Sequence, residues 1–137
     1  MSVFFDTNIL LYADDDDAPS KQAVARQLLA AAIGTGDGVI STQVVQEYYA
    51  NALRKLGFAP ARARILLDQY LTLNVVEIRL DQILGAIDLH RLHQLSFWDA
   101  LVVRCASDAG CDRLLSEDLQ HGRVFEGVRV ENPFAKK

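Results

Sequence analysis

A short apolar run that ends in a carboxylate, Val3-Phe4-Phe5-Asp6, constrains the fold of this chain more than any other feature. Successive apolar residues are typical of a strand that is buried on both faces, as in a parallel sheet covered by helices. In such sheets the ligand crevice lies beyond the carboxyl ends of the strands. We therefore predict that Asp6 lies at the mouth of a sheet; the alternative is an aspartate that merely turns the chain.

Short apolar runs alternate with amphipathic segments through the rest of the chain. Further strands are predicted at 39–41, 75–78, 113–116 and 128–130, and helices at 19–33, 42–56, 60–72, 81–92 and from 96 to about 109. Asp81 is predicted to cap the fourth of these helices. The alternation predicts an α/β protein, a three-layer α/β/α sandwich with a central, mostly parallel sheet. At 137 residues, half of them hydrophobic, the chain is expected to form a single domain, 1–137.

The overall charge and the hydropathy pattern limit the classes of function. A net charge of −4 argues against a simple electrostatic binder of nucleic acid. Carboxylates that surround metal ions, however, no longer count as free surface charge. No apolar run approaches the roughly 18 residues that span a bilayer, and the N-terminus lacks the pattern of a signal peptide. We expect a cytoplasmic protein with no membrane partner.

Several other polar or reactive residues are interpreted as structural. Cys105 and Cys111 fit no metal-ligand spacing and are expected to be apolar packing residues. His90 and His93 are three residues apart but have no third ligand nearby, so a favourable position at a helix C-terminus explains them better than a metal. The acidic run 14–17 is predicted to be a solvated loop.

Four acids occur at positions that a parallel sheet would bring to one edge. Asp6 and Asp118 follow predicted strands, whereas Glu47 and Asp99 lie early in helices that begin at the same edge. Like charges at one site resist joint ionisation, and hard divalent cations such as Mg²⁺ or Mn²⁺ relieve this repulsion because they prefer oxygen ligands. Such an ion activates water and stabilises charge on phosphate, so the pattern indicates phosphodiester chemistry. For Glu47 alone, an ordinary flanking glutamate is the alternative.

Several short segments together resemble a known family. They are Asp6-Thr7-Asn8 after a strand, Glu47, Ser96-Phe97-Trp98-Asp99-Ala100 at a helix start, Leu114-Leu115-Ser116-Glu117-Asp118, and Asn132-Pro133-Phe134. In order and spacing they resemble the PIN-domain ribonucleases, and specifically the VapC-like toxins of bacterial toxin–antitoxin modules. The resemblance implies a PIN-like sandwich and a Mg²⁺- or Mn²⁺-dependent endoribonuclease that cleaves RNA.

The resemblance also assigns roles residue by residue. It implies that one acidic quartet is both catalytic and metal-binding: Asp6, Glu47, Asp99 and Asp118. Ser116 matches the position whose hydroxyl would hold Asp118 or a metal-bound water, and Asn8 matches the residue that supports Asp6. Glu117 is an additional acid beside Asp118, and the Ser-x-Asp spacing favours Asp118 as the member of the site.

Partner surfaces are predicted around the helical hairpin at 42–72. Its basic residues are either solvated surface or contacts for RNA phosphate: Arg54, Lys55, Arg62 and Arg64. Its apolar residues are expected to exceed what one small domain covers: Tyr48, Leu53, Leu56, Phe58 and Leu66. The resemblance implies a homodimer and a cognate antitoxin protein, and part of this apolar surface would meet one of them.

Three other functions fit less well. A phosphohydrolase with an aspartyl nucleophile requires a second aspartate two residues after the first, where this chain has Asn8. A phosphoacceptor receiver domain requires a lysine at the end of a late strand, which the sequence lacks. A non-catalytic PIN-like module that binds other proteins remains the main alternative, although the complete acidic quartet argues against it.

Overall fold

One six-stranded sheet organises the chain in this computed structural model, which describes residues 2–135. Residues 1, 136 and 137 of the predicted domain lie outside that range. The strands are β1 (Ser2–Phe5), β2 (Gly38–Ser41), β3 (Asn74–Val76), β4 (Cys111–Leu115), β5 (Val124–Phe125) and β6 (Val128–Glu131). Their order is β3-β2-β1-β4-β6-β5, and the neighbours pair in parallel except β5 with β6. The predicted, mostly parallel sheet is confirmed.

Helices connect the strands and complete the three-layer α/β/α sandwich. They are α1 (Thr7–Ala13), α2 (Pro19–Thr35), α3 (Thr42–Arg54), α4 (Pro60–Tyr70), α5 (Leu80–His93) and α6 (Phe97–Asp108). α1 packs against α2 and α3, α3 packs against α4, and α5 packs against α6. β1 lies inside the sheet, where Phe4 and Phe5 are 0% and 1% exposed, as expected of a strand buried on both faces. The predicted fold class is therefore confirmed.

The structure contains two short elements that the sequence pattern does not indicate. α1 directly follows Asp6, whose carboxylate caps it by accepting a hydrogen bond from the Thr7 backbone N–H. β5 has only two residues and pairs with β6 through a turn in which Glu126 and Gly127 both have positive φ. Elements this short are difficult to recognise because neither spans enough residues to show a periodicity.

The start of α5 differs from the prediction. Arg79 occupies the N-cap position, and its backbone N–H donates to the side-chain oxygen of Gln82 at 2.9 Å. Asp81 lies in the first turn and forms an ion pair with Arg79 at 2.9 Å. The prediction that Asp81 caps this helix is wrong because Gln82 supplies the capping interaction.

The acidic run at the C-terminal end of α1 is only partly solvated. Asp16 and Asp17 are exposed, but Asp14 is buried and accepts hydrogen bonds from the hydroxyls of Tyr48 (2.6 Å) and Tyr70 (2.7 Å). The prediction of a solvated loop is therefore wrong for Asp14. Its partners come from α3 and α4, so this carboxylate joins three helices.

The two cysteines are packing residues, as predicted. Cys105 in α6 and Cys111 in β4 are both buried and free. Burial raises the pKa of each thiol to about 11, which disfavours the reactive thiolate.

Candidate active site

Three carboxylates converge at the carboxyl edge of the sheet. Asp6 follows β1, Asp118 follows the neighbouring strand β4, and Asp99 lies in the first turn of α6. Each offers an oxygen atom that lies within 4.8 Å of the corresponding oxygens of the other two. We call these residues the acidic triad. Their oxygens are close enough together to contact one cation.

Asp6 is the most enclosed member of the acidic triad, at 4% exposure. Its carboxylate accepts hydrogen bonds from the Thr7 backbone N–H (2.8 Å), the Ser116 hydroxyl (2.7 Å) and the Asn8 amide (3.4 Å). Burial raises the pKa of Asp6 to about 7 despite the bonds from Ser116 and Thr7, and the charge of Asp118 adds to the rise. The negative charge of the ionised Asp6 carboxylate is therefore only partly compensated by its surroundings.

Asp99 is positioned by the start of α6. Ser96 is the N-cap residue of α6, and its hydroxyl accepts a hydrogen bond from the Asp99 backbone N–H at 3.1 Å. Burial raises the pKa of the Asp99 carboxyl; the Ser96 side chain opposes this rise, and the charges of Asp118 and Glu47 add to it. Two members of the acidic triad thus hold their protons more tightly than an exposed aspartate does.

Glu47, the fourth predicted acid, lies beside the acidic triad. Its carboxylate accepts hydrogen bonds from the Thr7 hydroxyl at 2.7 Å and the Gln43 amide at 3.4 Å. Among residues 2–135, the group of acids close enough to share one metal ion contains Asp6, Asp99 and Asp118 but not Glu47. The charge of Glu47 nevertheless raises the pKa of Asp6 and Asp99, so it belongs to the same electrostatic environment.

Ser116 and Asn8 connect the two strand ends. The Ser116 hydroxyl donates to Asp6 and accepts a hydrogen bond from the Asp118 backbone N–H at 3.1 Å. The carboxylate that it holds is therefore that of Asp6, whereas the resemblance implied Asp118 or a water. The Asn8 amide donates to Asp118 at 3.2 Å as well as to Asp6, and its oxygen accepts from the Glu117 backbone N–H at 3.2 Å. Asn8 thus supports both aspartates.

Glu117 has its own partners outside the acidic triad. Its carboxylate accepts a hydrogen bond from the Tyr12 hydroxyl at 2.7 Å and forms an ion pair with Lys21. Burial would raise the pKa of Glu117, but the hydrogen bonds from Lys21 and Tyr12 outweigh it and lower the pKa. Tyr12 also packs edge-on against Phe134 of the Asn-Pro-Phe segment. Of the two adjacent acids, Asp118 is therefore the one in the acidic triad.

The predicted basic cluster divides among three places. Lys55 and Arg62 line a cavity of about 800 Å³ that extends to Asn8 and Asp118. Arg54 instead lines a groove beside Glu47, and Arg64 pairs with Asp68 on an exposed helix face. The four basic residues therefore line different parts of the surface, and their contact with RNA phosphate stays a prediction.

The apolar surface predicted on the helical hairpin is mostly covered. Tyr48 is 0% exposed, and Leu53, Phe58 and Leu66 pack against the core. Leu56 is partly buried. The expectation of excess apolar surface is therefore wrong for Tyr48, whereas the other four side chains are covered only in part. Exposed apolar side chains occur at Ile65 on α4 and along α5, at Leu80, Leu84 and Ile87.

Three residues that contact or adjoin the acids were not singled out from the sequence. Thr7 holds Glu47, Gln43 bonds both Glu47 and the Trp98 carbonyl, and Trp98 precedes Asp99 with its side chain 60% exposed. Adjacency to Asp6 and Asp99 was an available signal for Thr7 and Trp98. Helical spacing was a signal for the contact of Gln43 with Glu47, four residues on, whereas its contact with Trp98 depends on the fold.

Residues 3–126 match the family model described as PIN domain. No curated protein matches the chain. Within residues 2–135, no helix has both the length and the apolar composition that crossing a membrane requires.

Solved structures with the same fold come from several bacteria. A toxin–antitoxin complex from Klebsiella pneumoniae is 24% identical, with 97% of this chain and 98% of that chain covered and a TM-score of 0.69. VapBC2 from Rickettsia felis, bound to a promoter DNA fragment, is 18% identical over 96% and 98% of the chains, with a TM-score of 0.71. VapC20 from Mycobacterium tuberculosis, a toxin that cleaves the sarcin–ricin loop, is 18% identical over 82% and 87%, with a TM-score of 0.67. At these identities the likeness concerns the fold.

Proposed function

The chain belongs to the PIN domain family, and on that premise we propose that it is a metal-dependent endoribonuclease acting as a single domain over residues 1–137. The observation that carries this proposal is the convergence of Asp6, Asp99 and Asp118. Carboxylates that lie this close together repel one another unless a cation joins them. Metal-dependent nucleases use such a cation to activate water and to stabilise charge on the phosphate that they attack.

The side chains of the acidic triad fit Mg²⁺ or Mn²⁺. The donor set consists of carboxylate oxygens, which these hard cations prefer over the nitrogen and sulfur ligands typical of zinc sites. When bound, the ion would lower the pKa of a coordinated water and stabilise negative charge on the phosphate. Asp6, Asp99 and Asp118 would hold it.

The surrounding residues fix the carboxylates before a cation binds. Ser116 and Asn8 orient Asp6, and Asn8 also orients Asp118. Glu47, held by Thr7, is proposed to complete the quartet from beside the acidic triad, either by orienting water or as a further ligand. Partners of this kind fix the ligand geometry, and their loss typically reduces metal affinity or activity by about 10- to 100-fold.

The physiological role we propose is that of the toxin in a toxin–antitoxin pair. The structures of the same fold from Klebsiella, Rickettsia and Salmonella are toxin–antitoxin or VapBC complexes, which supports a protein antitoxin as partner. We also propose a homodimer, and the exposed stripe of Leu80, Leu84 and Ile87 on α5 would suit a second copy. Light scattering that shows a monomer at every concentration would contradict the dimer.

The proposed activity is tested directly by incubating the purified chain with RNA in Mn²⁺, in Mg²⁺ and in EDTA. Cleavage is expected with either metal and is expected to stop in EDTA. Asp118→Asn, purified in the same way, is the control for a contaminating nuclease and should be inactive. Equal cutting with and without metal would exclude a metal nuclease, and failure to cut any RNA would favour a non-catalytic binding module.

A further inference from the structure

A groove of about 410 Å³ lies beside the acidic triad, between α3 and the start of α6. Its α3 side is a single helical face, because the lining residues recur at intervals of three and four. The lining residues are Gln43, Gln46, Glu47, Ala50, Asn51, Arg54 and Trp98. Glu47 belongs both to this groove and to the proposed quartet, so the groove is continuous with the candidate active site.

Trp98 forms the aromatic wall of the groove. The side chain is 60% exposed, although it adjoins Asp99 in the sequence. Phe97 packs edge-on against it, with ring centroids 5.0 Å apart and planes at 75°, which restricts the orientation of the indole. Scattered exposed apolar residues are ordinary on a protein surface, but an aromatic ring held beside a cluster of acids offers a flat surface to whatever approaches them.

The opposite wall carries polar groups that are held in place. Arg54 donates to the Asn51 side-chain oxygen at 2.7 Å, and Asn51 donates to the Glu47 carbonyl at 2.8 Å, so the guanidinium is anchored to α3. Gln43 donates to the Trp98 carbonyl at 3.3 Å and connects the two walls. Among the described residues, the buried Gln43 side-chain oxygen has no hydrogen-bond partner. The groove therefore combines an aromatic face, amide groups and one cation.

We propose that this groove is a nucleotide subsite in which a base of single-stranded RNA stacks on Trp98 and Arg54 contacts the adjoining phosphate. The proposal rests on the proposed function, because the scissile phosphate would lie at the acidic triad. Unpaired bases stack on aromatic rings in RNA-binding proteins, and a guanidinium is well suited to phosphate. The side chains of Gln46 and Asn51 would contact the base edge and give the subsite a base preference.

The composition of the groove favours a nucleotide over a peptide segment or a second copy. A protein partner would be expected to bury a contiguous apolar patch. Here one large aromatic side chain is surrounded by amides, an acid and an arginine. Stacking on a single ring beside polar groups is characteristic of binding to single-stranded nucleic acid.

The test uses the fact that Trp98 is the only tryptophan of the chain. Short single-stranded RNA is titrated into the full-length protein in EDTA, so that cleavage does not interfere, while the tryptophan emission is recorded. Saturable quenching by RNA is expected because a stacked base contacts the indole. Polyphosphate of similar charge has no bases and is expected to leave the emission unchanged. Equal quenching by polyphosphate would overturn the base-stacking proposal.

Variants then separate stacking from folding. Trp98→Ala should weaken the binding of labelled RNA by about 5- to 150-fold, the range for one stacked base, and Trp98→Tyr should restore most of it. Leu92→Ala is the matched control. It removes an exposed apolar side chain from α5, away from the groove, and the variant should bind RNA like the wild type. Thermal unfolding of each variant confirms that it is folded.

The outcomes distinguish this subsite from the proposed activity. If the wild type cleaves RNA but Trp98→Ala has the same RNA affinity and KM as the wild type, the subsite proposal is overturned and the proposed activity is not. Quenching by RNA and the Trp98→Ala loss of affinity would support the subsite even if the wild type failed to cleave. An emission spectrum that shifts to shorter wavelength with protein concentration, without RNA, would show that a second copy covers Trp98 and would also overturn the proposal.

Discussion

The two ends of α1 carry the same residue type in contrasting environments. Asp6 at the N-terminal end is buried among other acids, and burial raises its pKa to about 7. Asp14 at the C-terminal end is also buried, but its carboxylate accepts hydrogen bonds from Tyr48 and Tyr70 at 2.6 and 2.7 Å. Tyr48 comes from α3, which packs beside α1, and Tyr70 comes from α4, which packs beside α3, so Asp14 links parts of the scaffold.

The difference shows how the surroundings decide what a buried carboxylate does. A carboxylate supplied with hydroxyl donors is stabilised within the protein and contributes to folding. Asp6 also accepts a hydroxyl hydrogen bond, from Ser116, but the acids that face it destabilise its charge until a cation arrives from solution, which is the arrangement that metal chemistry requires. The same comparison separates residues that should affect activity from residues that should affect stability.

The largest expected effect is on activity, from the loss of one charge in the acidic triad. Asp99→Asn should reduce RNA cleavage by more than the roughly 10- to 100-fold that an outer-shell partner typically supplies, since a metal ligand or water-positioning group is lost. Asp14→Asn makes the same chemical change at the other end of α1 and should leave the folded protein active. Rates in Mn²⁺, with melting temperatures in EDTA on the same samples, measure both. A destabilised but active Asp99→Asn variant would remove Asp99 from the site.

The next effect is the pH dependence of stability in the metal-free protein. The pKa of Asp6, about 7 in the folded chain, lies above its ordinary value of 3.8, so between these values the folded state binds more protons than the unfolded state. The free energy of unfolding should therefore fall as the pH rises through this window, by up to about 4 kcal/mol. Urea unfolding in EDTA at several pH values measures it, with Asp6→Asn as the variant that should flatten the curve. A free energy that rises with pH in the wild type but not in Asp6→Asn would be the opposite of this expectation.

A smaller effect on stability is expected at the Asp14 end. Tyr48→Phe and Tyr70→Phe each remove a hydrogen bond to a buried carboxylate and should each lower the free energy of unfolding by about 1.5–3 kcal/mol. Cleavage per folded molecule should be unchanged. Tyr49→Phe, at a neighbouring position that is 36% exposed, is the matched control and should change little. If either buried variant lost activity without losing stability, the assignment of this end to the scaffold would be wrong.

The smallest effect is expected for Glu117, which adjoins the acidic triad in sequence but pairs with Lys21. Glu117→Gln should change stability by no more than about 1 kcal/mol, because the pair is partly exposed at 40% and 27%. It should also leave cleavage close to that of the wild type. Asp118→Asn is the paired comparison one residue away, with a large loss of activity. Similar losses in both variants would place Glu117 in the site.

The fold and the acidic triad were largely predictable because their signals are local. An apolar run before Asp6, a serine cap before Asp99 and a strand before Asp118 each identify an element end, and parallel strands bring such ends to one edge. The environment of Asp14 was not predictable in this way. Its two partners, Tyr48 and Tyr70, are distant in sequence, and only the packing of α1 with α3 and of α3 with α4 brings them together.

Side-chain direction accounts for the other differences. Sequence adjacency alone could not show that Ser116 donates to Asp6, or that Glu117 turns toward Tyr12 and Lys21. The apolar residues of the hairpin, such as Tyr48, were expected at the surface because their burial partners lie in other elements. Which face of a helix is covered depends on neighbours that a single segment does not specify.

Binding of Mn²⁺, followed by titration calorimetry, tests most directly the claim that one end of α1 holds a metal and the other does not. The wild type and Asp14→Asn should bind Mn²⁺ with similar affinity, whereas Asp99→Asn should bind it weakly or not at all. Each variant is first confirmed to be folded in EDTA. An Asp99→Asn protein that binds Mn²⁺ as tightly as the wild type would contradict the assignment of the acidic triad as the metal site.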